Sequence, residues 1–260
     1  MNLKDAWLRA KAGAADTSGR FIAEGSLVVE QLSLSRFGAE SVLGVSGRLD
    51  AIDETLHRFG PQVPVYEASR SVIEDITGFD LHRGLLAVGL REQEPPLEAL
   101  LGAARGVVVL EGTSNHDNVG SVFRSVAALG GRDTPVILSP DSCDPLYRKS
   151  IRVSMGQVLH VPWTRAIDWM STIERIQASG FEPIALTPAA DAEPIEAVRM
   201  GLKRPPALFL GAEGPGLTEQ VLNRCRRVRI PIDPRADSLN IAVSAAVALS
   251  WLLRAPEKVE

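Results

Sequence analysis

Beyond residue 97 the chain alternates short apolar runs with stretches of helical spacing, and this alternation restricts the fold more than any other feature of the sequence. The runs cover Val107-Val108-Val109-Leu110 and residues 135–138, 158–162, 182–186, 207–210 and 228–232. Helical spacing fits residues 119–129, which Gly130-Gly131 ends, and stretches near 145–151, 166–178, 218–223 and 239–253. Strands this apolar have no solvent face, so the pattern predicts an α/β fold with a mainly parallel sheet covered on both sides by helices.

Arg91-Glu92-Gln93-Glu94-Pro95-Pro96-Leu97 interrupts both periods, because paired prolines remove donors and exclude the helical region before them. A domain boundary is expected there, giving domains at 1–96 and 97–260. Before it, apolar runs at 21–23, 42–45, 63–66 and 85–90 alternate with helix-like stretches around 26–32, 51–57 and 72–76, which suggests a smaller α/β unit. A length of 260 residues accommodates two such domains.

Met1-Asn2-Leu3-Lys4-Asp5-Ala6-Trp7 lacks the apolar stretch of a secretory signal. The apolar run 241–253 is shorter than the ~20 residues that span a bilayer. A cytoplasmic protein without a membrane partner is expected. Cys143 and Cys225 lack paired spacing, and His57, His82, His116 and His160 are scattered, so buried free thiols and no metal are the expectation.

The formal charge of −4 opposes nucleic-acid binding when taken over the whole chain. Residues 1–102 hold 10 basic and 15 acidic side chains, against 18 and 17 in 103–260, so the acidity lies in the N-terminal half. Arg224, Arg226, Arg227 and Arg229 form one basic cluster, and Arg148, Lys149 and Arg152 another. Each could serve an RNA face or be a solvated helix end.

Gly211, Gly214 and Gly216 follow an apolar run, but Leu217 stands where a phosphate-binding loop needs lysine, and the spacing is not that of a dinucleotide fingerprint. The cluster could let backbone approach a ligand closely, or simply form a tight turn. Glu213 lies where a sheet's C-terminal edge is expected, with a helix-start carboxylate as the lesser alternative. Arg124, six residues after Asn118, emerges from an otherwise apolar helical stretch. Ser238 and Asn240 flank Leu239 at the start of the last helical stretch, where either could line a pocket or cap the helix.

In this order, Asn118-Val119-Gly120-Ser121-Val122-Phe123-Arg124, Leu210-Gly211-Ala212-Glu213-Gly214-Pro215-Gly216-Leu217, and the segment from Ile230 to Asn240 resemble the three motifs of the SpoU/TrmH family of the SPOUT superfamily. These are RNA ribose 2′-O-methyltransferases that use S-adenosylmethionine, and the resemblance covers roughly residues 105 to 255. Phe21-Ile22-Ala23-Glu24-Gly25 and His82-Arg83-Gly84-Leu85-Leu86-Ala87-Val88 resemble the ribosomal-protein-like substrate-binding domain often fused to them.

The resemblance implies a trefoil knot in the C-terminal domain, a homodimer whose pocket is completed across the interface, and structured RNA as substrate, ribosomal before transfer RNA. It makes Arg124 the catalytic centre with Asn118 in support, places Glu213, Ser238 and Asn240 around the active site, and assigns main-chain contacts with S-adenosylmethionine to Gly211, Ile230 and Leu239. A guanidinium stays protonated and is a poor general base, so orienting the hydroxyl and a neighbouring phosphate suits Arg124 better than proton abstraction. A non-catalytic RNA-binding protein and a small-molecule methyltransferase remain as alternatives.

Overall fold

The computed structural model describes residues 19–77 and 84–253, so His82 and Arg83 and the N-terminal heptapeptide lie outside the described residues. The chain forms two compact units. Described residues 19–77, 84–93 and 144–160 make the first, and 94–143 with 161–253 the second.

In the first unit, β1 (Arg20–Glu24), β2 (Ala39–Gly44), β3 (Val65–Glu67) and β4 (Leu85–Leu90) form a mixed sheet in the order β1-β4-β2-β3. β4 is antiparallel to both neighbours, and β2 is parallel to β3. Ile22, Leu43, Ile73, Leu86 and Val88 fill its core.

The segment 144–160 joins this unit, which differs from the uninterrupted second domain expected from residue 97. Its helix Arg148–Val153 packs on β1, where Arg148 Nη1 donates to Glu24 Oε2 at 2.7 Å, and Asp144 is ion-paired with Arg91. It brings Arg148, Lys149 and Arg152 against a single acid, Asp144. The unit is therefore less acidic than the N-terminal half of the sequence.

In the second unit, β5 (Val107–Leu110), β6 (Val136–Leu138), β7 (Trp163–Arg165), β8 (Glu182–Leu186), β9 (Glu193–Pro194), β10 (Pro206–Leu210) and β11 (Arg226–Arg229) form one sheet in the order β7-β6-β5-β10-β8-β11-β9. Every pairing is parallel. All residues of β5, β6 and β10 are buried, as expected for central strands covered on both faces. The core includes Val107, Val109, Ile137, Ile173, Ile176, Phe181, Phe209 and Val221. Strand order reverses between β5 and β10, and ligands of open α/β sheets bind at the carboxyl ends of strands near such a point.

Two expected strands are displaced, each beside a proline. The run 158–162 begins with a 3-10 turn, Gln157–Leu159, in which His160 N donates to Gln157 O at 3.0 Å. Pro162 has no N–H for the ladder, its carbonyl accepts from Val136 N at 2.9 Å, and the strand starts at Trp163. The run 228–232 pairs only as far as Arg229, because Pro231 likewise cannot donate. Ile230 and Ile232 leave the sheet and line the cleft described next.

Candidate active site

Three strands of the second unit end at one open cleft of about 390 Å³. Leu186 ends β8 and residues 187–188 follow it, Leu210 ends β10 and residues 211–214 and Gly216 follow it, and Ile230 and Ile232 follow β11. Residues 238–241 and Ser244, around the start of helix Ile241–Leu252, complete the wall. The walls are mixed: Leu186, Ile230, Ile232, Leu239 and Ile241 are apolar, while Thr187, Glu213, Ser238, Asn240 and Ser244 are polar. The volume falls within the ~300–1,000 Å³ typical of small-molecule sites.

The glycine loop is shaped by two steric demands. A Cβ on Gly211 would stand 2.2 Å from Gly216 C and Leu217 N, so only glycine lets the loop fold back on itself. Gly216 has φ +72°, and its N–H donates to Ala212 O at 3.0 Å, closing the turn in a conformation that side chains resist.

Asn240 ties the three sequence motifs together. Its Oδ1 accepts from Ala242 N at 2.8 Å, capping the terminal helix. That bond fixes the orientation of the amide, so Nδ2 faces the other way and donates to Asn118 Oδ1 at 3.0 Å and Glu213 Oε1 at 2.9 Å. Asn118, 5% exposed, is the third residue of helix His116–Ser125, which Asn115 caps by accepting from Asp117 N. The Nδ2 of Asn118 is buried with no partner among the described residues. Ser238 does not cap the helix and lines the cleft with Leu239.

Arg124 is not joined to this network. It lies in the last turn of the Asn118 helix, about 9 Å further along the axis at 1.5 Å per residue. Its side chain is exposed and makes no hydrogen bond or ion pair with another described residue. Val119, Val122 and Phe123 on the same helix are fully buried.

Glu111 is a structural feature that sequence reasoning passes over. It follows β5, is 7% exposed, and its carboxylate accepts from Trp169 Nε1 at 2.8 Å, Thr218 N at 2.8 Å and Thr218 Oγ1 at 2.9 Å. A charge at the C-terminal edge of a buried strand is the signal that singles out Glu213, and Glu111, immediately after β5, carries it as well. Thr187, also in the cleft wall, carries no comparable signal.

The basic cluster near β11 is largely committed internally. Arg226 bonds Glu193 Oε1 and Oε2 at 3.0 and 2.6 Å and Glu182 Oε1 at 3.0 Å, and the hydrogen bond to Arg226 lowers the Glu193 pKa. Arg229 Nε donates to Ala192 O, and Arg227 to Asn223 Oδ1. In the loop leading to Ser238, hydrogen bonds from Arg235 hold the Asp233 carboxyl down at about 2. This contribution is present above the ordinary carboxylate value of ~3.9 and is lost as pH falls through about 2.

Burial, then the Glu111 charge, pushes the Cys225 thiol up to about 12. Because the thiolate is the reacting species, iodoacetamide at pH 8 is expected to leave Cys225 unmodified in the native protein and to label it after denaturation, read by peptide mass. Among the described residues no group of His, Cys, Asp and Glu could hold a metal ion, and no helix is long and apolar enough to cross a membrane.

A parallel α/β unit with a ligand-sized cleft at its carboxyl edge, and three sequence motifs joined there by one asparagine, belongs to the class of α/β enzymes that bind a small molecule at strand ends. The chain matches the model of the SpoU rRNA Methylase family over residues 105–250 and belongs to that family of methyltransferases. An uncharacterized tRNA/rRNA methyltransferase of Mycobacterium tuberculosis is 42% identical over 229 residues, covering 87% of this chain and 78% of that protein. Among solved structures, an RNA 2′-O ribose methyltransferase is 26% identical with a TM-score of 0.75, over 96% of this chain and 94% of that one. An AdoMet-bound rRNA methyltransferase from Sinorhizobium meliloti, 23% identical, shares the fold with a TM-score of 0.79 over 96% and 93%.

Proposed function

We propose that this protein methylates a ribose 2′-hydroxyl in structured RNA, ribosomal RNA first and transfer RNA second, with S-adenosylmethionine as donor. The observation that carries the reading is the hydrogen-bonded trio Asn118, Asn240 and Glu213 beside a cleft suited to a cofactor. The names of the relatives and of the 26% identical structure support it.

The cleft residues fit the donor chemically. The Cβ-free loop at Gly211, with main chain at Ile230 and Leu239, offers amides and carbonyls to a neutral base and a zwitterionic amino acid, and the aliphatic walls exclude water. When bound, S-adenosylmethionine supplies an activated methyl on a sulfonium. The residues then need to hold the ribose oxygen in line with that carbon and let its proton depart. In this reading Arg124 orients the hydroxyl and a flanking phosphate, Asn118 and Asn240 set the motif loops, Glu213 holds the Asn240 amide, and Ser238 contributes a hydroxyl at the rim.

The first unit would read the RNA, with Lys149 and Arg152 supplying positive charge there, while Arg148 is held by Glu24. A homodimer belongs to the same reading. The terminal helix is apolar on most faces, and Leu239 and Val243 remain 37% and 50% exposed. A trefoil knot is supported by the path of the chain: β11 pairs with β8 beyond β10, and the terminal helix then packs against helix His116–Ser125. The cytoplasm is the expected location.

The reading is tested by incubating the protein with labelled S-adenosylmethionine and total RNA from cells lacking it, then digesting to nucleosides. Labelled 2′-O-methylnucleoside is the expected product. Label in a base-methylated nucleoside, or none with RNA but some with a small molecule, would overturn it.

A further inference from the structure

We propose that Glu111 is the positioning residue of the donor cleft, holding both ends of the loop between Leu210 and Thr218 in the conformation that receives S-adenosylmethionine. The proposal rests on the donor assignment made above.

Glu111 meets the loop twice. Its backbone N–H donates to Leu210 O at 2.9 Å, where the chain leaves β10, and its carboxylate takes the N–H and hydroxyl of Thr218, where the chain enters helix Glu219–Leu222. Everything the glycine loop contributes to the cleft wall lies between these two anchors. The third bond, from Trp169 Nε1, reaches the same carboxylate oxygen as the Thr218 hydroxyl and fixes it further. Three donors on one carboxylate leave it no freedom to follow a loop that opens.

Sheet stability does not require this arrangement. β5 and β10 are already paired through Leu110 and Leu210, and burying a carboxylate is costly unless donors compensate it. An apolar side chain at position 111 would fill the space at lower cost, but it would leave Thr218 unanchored. A role in loop geometry accounts for the acid.

The discriminating variant is Glu111→Gln. Its amide oxygen still accepts from Trp169 and from the Thr218 hydroxyl, but its NH₂ faces the Thr218 N–H, donor against donor. In the full-length protein, S-adenosylhomocysteine affinity is measured by calorimetry, steady-state constants are measured with RNA, and hydrogen exchange is followed without added cofactor. The dissociation constant and the KM for S-adenosylmethionine are expected to rise about tenfold or more. At saturating donor, kcat and the KM for RNA should stay near wild type, and faster exchange should be confined to residues 211–218.

Should Glu111→Gln fail to fold, Thr218→Val replaces the hydroxyl that meets Glu111 by a methyl, leaves the Thr218 N–H bond in place, and is expected to raise the same KM about fivefold. Wild-type affinity and exchange in the variant that folds would overturn the proposal, as would a parallel loss of kcat and melting temperature without a change in KM. Absence of S-adenosylhomocysteine binding by the wild-type protein would instead overturn the donor assignment, and the exchange pattern would still report whether Glu111 holds the loop.

Discussion

Arg124→Ala is expected to slow methyl transfer by about a hundredfold or more while leaving S-adenosylhomocysteine affinity and melting temperature close to wild type. Arg124 is exposed, does not line the cleft and is not bonded to the asparagine network, so its truncation removes no hydrogen bond or ion pair with another described residue. Exposed substitutions of this kind shift stability by about 0.5 kcal/mol or less, and alanine suits a helix interior. If the guanidinium organises the reacting hydroxyl and its phosphate, the loss falls on the rate of transfer. Arg124→Lys keeps the charge without the planar fork and should recover part of the activity. Near-normal turnover in Arg124→Ala, with RNA present at saturation, would remove Arg124 from the reaction.

What could be read from the sequence, and what could not, divides along the range of the interactions involved. Val107–Leu110 and Pro206–Leu210 are recognisable because a central parallel strand is apolar at every position, a property carried by neighbouring residues alone. The capacity of Asn240 to cap a helix is equally local. Its two bonds to Asn118 and Glu213 are not, since they join residues far apart in sequence. The membership of residues 144–160 in the first unit depends on Arg148 meeting Glu24 and Asp144 meeting Arg91, and no periodicity records either pair. Arg226 illustrates the same limit in charge. As part of a run of arginines it resembles a basic surface, whereas the fold places Glu182 and Glu193 around it. Ile230 and Ile232 have the composition of a strand; Pro231 between them explains why the pairing stops at Arg229, and the family resemblance alone points to Ile230 as part of the donor site.

Asn240→Ala is the substitution expected to cost most in the folded protein. It removes the cap of the terminal helix, worth about 1 kcal/mol, and leaves the buried Asn118 amide with neither its oxygen nor its nitrogen paired, at about 1–3 kcal/mol more. A melting curve should therefore fall by several degrees, and any loss of activity has to be separated from unfolding. Asn240→Asp makes that separation. Aspartate preserves the acceptor for Ala242 N and caps the helix as well as asparagine does. It substitutes an oxygen for the Nδ2 donor, so the introduced carboxylate and that of Glu213 face each other beside an unpaired Asn118 oxygen. Repulsion should drive Glu213 and its glycine loop outward. S-adenosylhomocysteine affinity measured by calorimetry is expected to drop by about tenfold or more, even at temperatures well below the variant's melting point. Affinity should recover as pH falls and one of the two carboxylates takes up a proton, restoring a donor between them. Wild-type affinity in Asn240→Asp at neutral pH would mean that the asparagine acts only as a helix cap and that the bridge among the three motifs has no part in shaping the cleft.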